Sequence, residues 1–174
     1  MAEPTRRVML AAATAASLGL AGCKGIAALG PLPKPSVDVV TLEHVIAAEE
    51  LMVATYRAAA EQLAAGGSAG GKGQRLSAAV TAIHAEHQAH LTHMRTRLVL
   101  PPRLAKTKSR PGRPSPLPAD SQGIIGVLVA DERAAAARLT SQLLDAPPAL
   151  AQLMASIAAS EAAHVVYLRR AGAT

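Results

Sequence analysis

The chain of 174 residues contains no Phe and no Trp, two Tyr and a single Cys. Without large rings, a core has to be filled by Leu, Ile, Val, Met and many Ala, and no aromatic series is on hand to stack against nucleic-acid bases. One cysteine excludes an intrachain disulfide and any Cys-x-x-Cys site for zinc or electron transfer. Acidic residues are also few, 12 against 18 basic ones, for a net charge of +6. That excess would suit a polyanion, but its distribution argues otherwise. Residues 101–118, "PPRLAKTKSRPGRPSPLP", hold Arg103, Lys106, Lys108, Arg110 and Arg113 with no acid, which is +5 alone, so the remainder is close to neutral. A basic, Pro-rich loop of this kind suits solvent, anionic lipid or wall polymers, and no nucleic-acid partner is expected.

The N-terminal stretch "TRRVMLAAATAASLGLAGC" has the layout of an export signal. Arg6 and Arg7 form a twin-arginine pair. The apolar run over residues 8–20 is too short for a bilayer span, which needs about 20 apolar residues. It ends in Leu20-Ala21-Gly22-Cys23, which resembles the lipobox of bacterial lipoproteins. That resemblance implies a signal peptide over residues 1–22, a lipid on the Cys23 thiol, a tether over 23–36, and a domain held by its lipid in the outer leaflet of the cytoplasmic membrane, on the extracytoplasmic face. The twin-arginine route carries folded proteins, which suits a domain that acquires its cofactor before export.

Beyond the tether no alternating strand pattern is present, and four segments show helical periodicity. They run over about 36–65, 74–100, 121–145 and 147–171. Ser36 or Asp38 can cap the first, the cluster "GGSAGGKG" stops it, Pro101-Pro102 ends the second, and Pro147-Pro148 opens the fourth. The first and last links are short enough for antiparallel neighbours. About 18 Pro-rich residues between the second and third helices reach roughly 55 Å, more than the roughly 39 Å of a 26-residue helix. The expected fold over residues 37–171 is therefore all-α: a four-helix bundle of two antiparallel hairpins, with a long basic crossover over 101–120 between helices 2 and 3.

Each helix carries one apolar stripe at spacings of three and four, and each stripe is broken near its middle by a glutamate. Helix 1 reads Leu42, Val45, Ile46, Glu49, Met52, Val53, Tyr56, Leu63. Helix 2 reads Leu76, Val80, Ile83, Glu86 with His87, His90, Met94, Leu98. Helix 3 reads Ile125, Leu128, Glu132, Ala135, Leu139, Leu143, and helix 4 reads Leu150, Leu153, Met154, Ile157, Glu161, His164, Leu168. Buried carboxylates converging on one level need a compensating charge, which metal ions supply. Two helices offering Glu alone and two offering Glu with His is the ligand division of di-metal carboxylate bundles. Slightly rotated stripes would instead leave these groups at the water-facing edge of a purely structural bundle.

At "EELMVATY", where Glu49 precedes Tyr56, and at "SEAAH", a Glu-x-x-His, the chain resembles the ferritin-like superfamily of rubrerythrins and bacterioferritins, and most nearly exported actinobacterial ferritin-like lipoproteins. The resemblance implies a di-iron or di-manganese centre with ferroxidase or peroxide-scavenging activity. Its metal ligands would be Glu49, Glu86, His90, Glu132, Glu161 and His164, with Glu86 and Glu161 bridging and Tyr56 beside the metals as a relay. The second helix departs from the pattern: "HAEHQAH" sets Glu86 and His90 four apart, and His87 with His90 is the alternative pair, richer in nitrogen and suited to zinc or copper as well. Glu43, His44 and Glu50 fall beside the helix 1 stripe, with Glu50 the substitute for Glu49, and Asp131 stands in the same relation to Glu132. The absence of Cys-x-x-Cys excludes a complete rubrerythrin, and a lipid anchor would hinder a closed storage cage, while a dimer stays open. The competing expectation is a non-catalytic envelope scaffold whose working surface is the basic crossover.

Overall fold

A computed structural model describes residues 36–66, 70–98 and 112–173. Arg6, Arg7, Cys23, the tether up to residue 35, and Arg103, Lys106, Lys108 and Arg110 of the basic segment lie outside the described residues. Four α-helices make up the domain: α1 Val37–Ala65, α2 Gly71–Arg97, α3 Ser121–Ser141 and α4 Pro148–Ala173. No strand occurs among the described residues, whose regular structure is all α-helical as expected.

The helix ends follow local chemistry. Ser36 precedes α1 in extended backbone without a side-chain cap bond, while Asp38 lies in the first turn, where a carboxylate favours the exposed N–H groups. α2 begins at Gly71, inside the glycine cluster expected as a loop, because the Gln74 N–H donates to the Gly70 carbonyl at 3.0 Å and closes the first turn there. It stops at Arg97, three residues before the expected end, with Leu98 extended and its N–H bonded back to the Met94 and Arg95 carbonyls. Ahead of α3, Asp120 accepts a hydrogen bond from the Gly123 N–H at 2.8 Å, an N-cap that the sequence reading had not named. α3 ends at Ser141 and not near Asp145: the Gln142 and Leu143 N–H groups bond three residues back, to the Leu139 and Thr140 carbonyls, and Pro147 follows. α4 continues past Ala171 to Ala173, with Gly172 set so closely on Ile125 that a Cβ there would lie 2.4 Å from the isoleucine Cδ1.

α1 packs chiefly on α2 and α3 chiefly on α4, with a further contact between α2 and α4 and a lesser one between α1 and α3. Two apolar clusters result. One joins Tyr56, Ala59 and Leu63 of α1 to Leu76, Val80 and Ile83 of α2, Ile124 and Leu128 of α3, and Val165 and Leu168 of α4. The other joins Leu42, Val45 and Ile46 to Leu91 and Met94, Leu139, and Met154 and Ile157. The polar residues that interrupt the stripes lie along each helix between these two clusters. α4 is long and apolar enough to cross a membrane by length and composition. Its Glu161 and His164, however, are 0% and 4% exposed within the bundle, the pattern of a core helix.

Gly123 is held to glycine by space. A Cβ there would meet the Pro118 Cβ at 2.5 Å, a rigid ring atom, whereas one on Gly126 meets nothing within 4 Å. Gly123→Ala is expected to lower stability by about 1–3 kcal/mol through overpacking. Gly126→Ala, in the open middle of α3, should raise it by up to about 1 kcal/mol through helix propensity. Chemical denaturation of the two variants and the parent checks both signs.

Candidate metal centre

Six ionisable side chains on four helices meet between the apolar clusters. His87 of α2 is at the middle, fully buried. Its Nδ1 lies 2.9 Å from Glu49 Oε2 and its Nε2 3.1 Å from Glu132 Oε1. His164 of α4 places Nε2 2.9 Å from Glu86 Oε2 and Nδ1 3.3 Å from Glu132 Oε1 and 3.4 Å from Glu161 Oε2. His90 Nδ1 is 3.7 Å from Glu161 Oε1 and 3.8 Å from Glu49 Oε1. The Tyr56 hydroxyl donates to Glu132 Oε1. The Ser160 hydroxyl donates to Glu86 Oε2 at 3.2 Å and sits 3.3 Å from His164 Nε2.

These contacts form two overlapping donor sets, Glu49, His87, His90 and Glu161, and His87, Glu132, Glu161 and His164. Within each, one ligand atom per residue falls within 4.8 Å of all the others, a spacing that could hold a metal ion. Several of the atoms also lack hydrogen bonds: Glu132 Oε2, both oxygens of Glu161, His90 Nδ1 and His164 Nδ1 are buried and unpartnered. Most buried polar atoms in folded proteins are hydrogen-bonded, so five that converge without a hydrogen bond, in ion-pair range of one another, leave a space that could hold a cation. Ligand atoms about 2.0–2.1 Å from a four-coordinate ion stand roughly 3.3–3.4 Å apart. The 3.1, 3.3 and 3.4 Å separations around Glu132 and His164 match that edge length.

Of the expected ligands, the structure brings Glu49, His90, Glu132, Glu161 and His164 together and places Tyr56 against Glu132. Glu86 is different. Its side chain is 55% exposed at the rim, touching the cluster only through His164 and Ser160, and it belongs to neither donor set. His87, the alternative in the sequence reading, takes the interior position. The signal was present in the spacing: Ile83, His87, Leu91 and Met94 run four, four and three apart, and all are buried, whereas Glu86 lies one position, about 100°, off that line. Glu50 pairs with Arg95 at 2.6 Å outside the cluster, and Asp131 lies beside Glu132 partly buried, so neither substitutes for its neighbour.

The electrostatics follow from burial opposed by ion pairing. Burial disfavours charge on His87, yet hydrogen bonds with Glu132 and Glu49 outweigh it and raise its pKa to about 9. For His164, burial is outweighed by Glu132, Glu161 and Glu86, raising it to about 10. Glu132 is buried too, but bonds from His164 and His87 hold it well below the usual carboxylate range. Burial, with Glu132 alongside, raises Glu161. Burial first and then the Glu132 charge push the Tyr56 hydroxyl far above its ordinary value, so it stays a donor. Contact with His164 holds Glu86 low. Without metal, two imidazolium ions therefore meet part of the compensating charge that the buried carboxylates require.

Comparison with protein-family models, with curated proteins and with solved structures finds no match to this chain, and the reading of the centre rests on its own geometry.

Two outcomes follow for the metal-free protein. His87 and His164 have folded pKa values above the ordinary 6.5 or so of histidine, so their stabilising contribution is complete below about pH 6.5 and is lost as pH rises through 9 to 10. Urea midpoints in chelator should fall across pH 7 to 10.5, and a flat profile would contradict the ion-paired cluster. Tyr56→Phe removes a buried donor from Glu132 and is expected to cost about 1–3 kcal/mol at pH 7 in the same assay.

Proposed function

We propose that the chain is an exported, lipid-anchored, ferritin-like metalloprotein that binds iron or manganese in its bundle core, on the extracytoplasmic face of the cell membrane. The carrying observation is the set of buried, unpartnered ligand atoms on Glu132, Glu161, His90 and His164. Neighbours among these side chains lie 3.3 to 3.7 Å apart, close enough for ion pairing and for a shared cation. In this reading the helix pairs α1 with α2 and α3 with α4 are antiparallel hairpins, and residues 101–120 are the crossover. Support comes from the apolar cluster that collects the C-terminal halves of α1 and α4 with the N-terminal halves of α2 and α3.

Bound iron or manganese would supply a redox-active Lewis acid for Fe(II) oxidation or peroxide removal. The protein's own part lies in position and access. Glu132 and Glu161 provide anionic oxygens, His87, His90 and His164 provide nitrogens, and Tyr56 keeps a hydroxyl proton on the Glu132 carboxylate. Water and small solutes reach the cluster at the rim where Glu86 and His90 are partly exposed, while the two apolar clusters close its ends.

A non-catalytic envelope scaffold is the second reading, favoured by one observation: the His87 and His164 charges already offset buried carboxylates. Anaerobic Fe(II) loading of the purified chain separates the two. Bound iron that resists desalting, disappears in a Glu161→Ala, His164→Ala double variant and develops ferric absorbance in air supports the metalloprotein. Less than half an iron per chain in both proteins sinks it and leaves the scaffold.

A further inference from the structure

The two donor sets share His87 and Glu161; a carboxylate has an oxygen for each of two ions, but a neutral imidazole has one lone pair, its other nitrogen carrying a proton. We propose that the centre is a single-ion site, formed by His87 Nε2, His164 Nδ1, Glu132 and Glu161, and that Glu49 and Glu86 are positioning residues and not ligands. This rests on the reading of the core as a metal site and departs from the carboxylate-bridged pair expected from the sequence.

Four observations select this set over the one containing His90. All four of its residues are buried, at 0% exposure for three and 4% for His164, while the His90 side chain is 16% exposed. It holds three unpartnered atoms, Glu132 Oε2, Glu161 Oε2 and His164 Nδ1, against two for the other, Glu161 Oε1 and His90 Nδ1. Both of its histidines carry an outer carboxylate on the second ring nitrogen: Glu49 at 2.9 Å from His87 Nδ1, which also lies 3.7 Å from Glu161 Oε1, and Glu86 at 2.9 Å from His164 Nε2. A carboxylate on the far N–H fixes tautomer and ring orientation and makes the ligating nitrogen more basic, the usual support for a histidine ligand. Finally, Tyr56 donates to Glu132 Oε1, the oxygen that also faces His87 and His164, and leaves Oε2 without a hydrogen bond. Two imidazole nitrogens and two carboxylates suit one borderline divalent cation.

Cobalt(II) is the probe, titrated anaerobically into the metal-free full chain, with stoichiometry from binding isotherms and coordination from visible absorption. One cobalt per chain with the intense bands of a four-coordinate ion is expected, lost in His164→Ala. Glu86→Ala should weaken binding by roughly 10- to 100-fold while leaving one ion per chain, and Glu86→Gln, whose amide oxygen still accepts from His164, should recover most of it. Two cobalt ions of equal affinity would overturn the single-ion assignment but leave the metalloprotein standing. So would an ion that survives His164→Ala and is lost in His90→Ala. If a Glu86 variant loses the ion outright and Gln does not restore it, Glu86 is a ligand and the assignment fails. No cobalt bound by the folded parent protein overturns both this inference and the metal reading beneath it.

Discussion

Three carboxylates, Glu49, Glu132 and Glu161, are buried beside two imidazoles at one level of an Ala-rich bundle, and the alignment of the four helices depends on that meeting. Breaking one buried ion pair by removing a partner typically costs 3–5 kcal/mol, because the other charge is left in a medium that cannot solvate it. A slip of any helix by one turn, about 5.4 Å, would do this to several groups at once. Apolar contacts among Leu, Ile, Val and Ala are forgiving about register. The polar centre is not, and it converts an approximately patterned bundle into one with a single alignment.

The apolar clusters on either side complement that centre. Their largest fully buried members are Ile83, Ile124, Leu128, Leu168, Met94 and Met154, with Tyr56 the only buried aromatic ring among the described residues apart from histidine. Alanine at Ala59, Ala79, Ala135 and Ala158 keeps the helices close, and glycine at Gly172 lets α4 reach Ile125. Close approach brings the ligand atoms within contact range. Bulkier residues there would part the helices and open the cluster to water, lowering the cost of charge and the value of each pair together.

Exposure is graded across the centre. Glu132 and Glu161 are sealed, His90 is partly open, and Glu86 stands in solvent with its carboxylate on His164. An outer carboxylate joined through an imidazole to a buried one links the interior to the surface with side chains alone. Such an arrangement could hold a cation, and in the metal-free protein the two imidazolium ions offset part of the buried carboxylate charge. Both functional readings draw on this property, and occupancy by metal is what separates them.

How much of this was legible beforehand differs between elements. The four helices were, since apolar residues at three and four apart leave little alternative, and so was a glutamate in three of the stripes; Glu49, Glu132 and Glu161 are buried where the period puts them, while Glu86 is not. Helix ends were less so, because Gly71 joined a helix only by closing its first turn on Gly70, and α3 tightened into turns bonded three residues back after Ser141. In α2 the run from His84 to His90 offers polar groups over a wide arc, and the spacing favours His87 over Glu86 only once Leu91 is placed on the buried line. By itself the sequence determined the helices, their apolar faces and the kinds of ligand available, because these depend on local spacing. Only the tertiary structure decided that His87 turns inward and Glu86 outward, because the choice was made by Glu49, Glu132 and His164, which lie on three other helices.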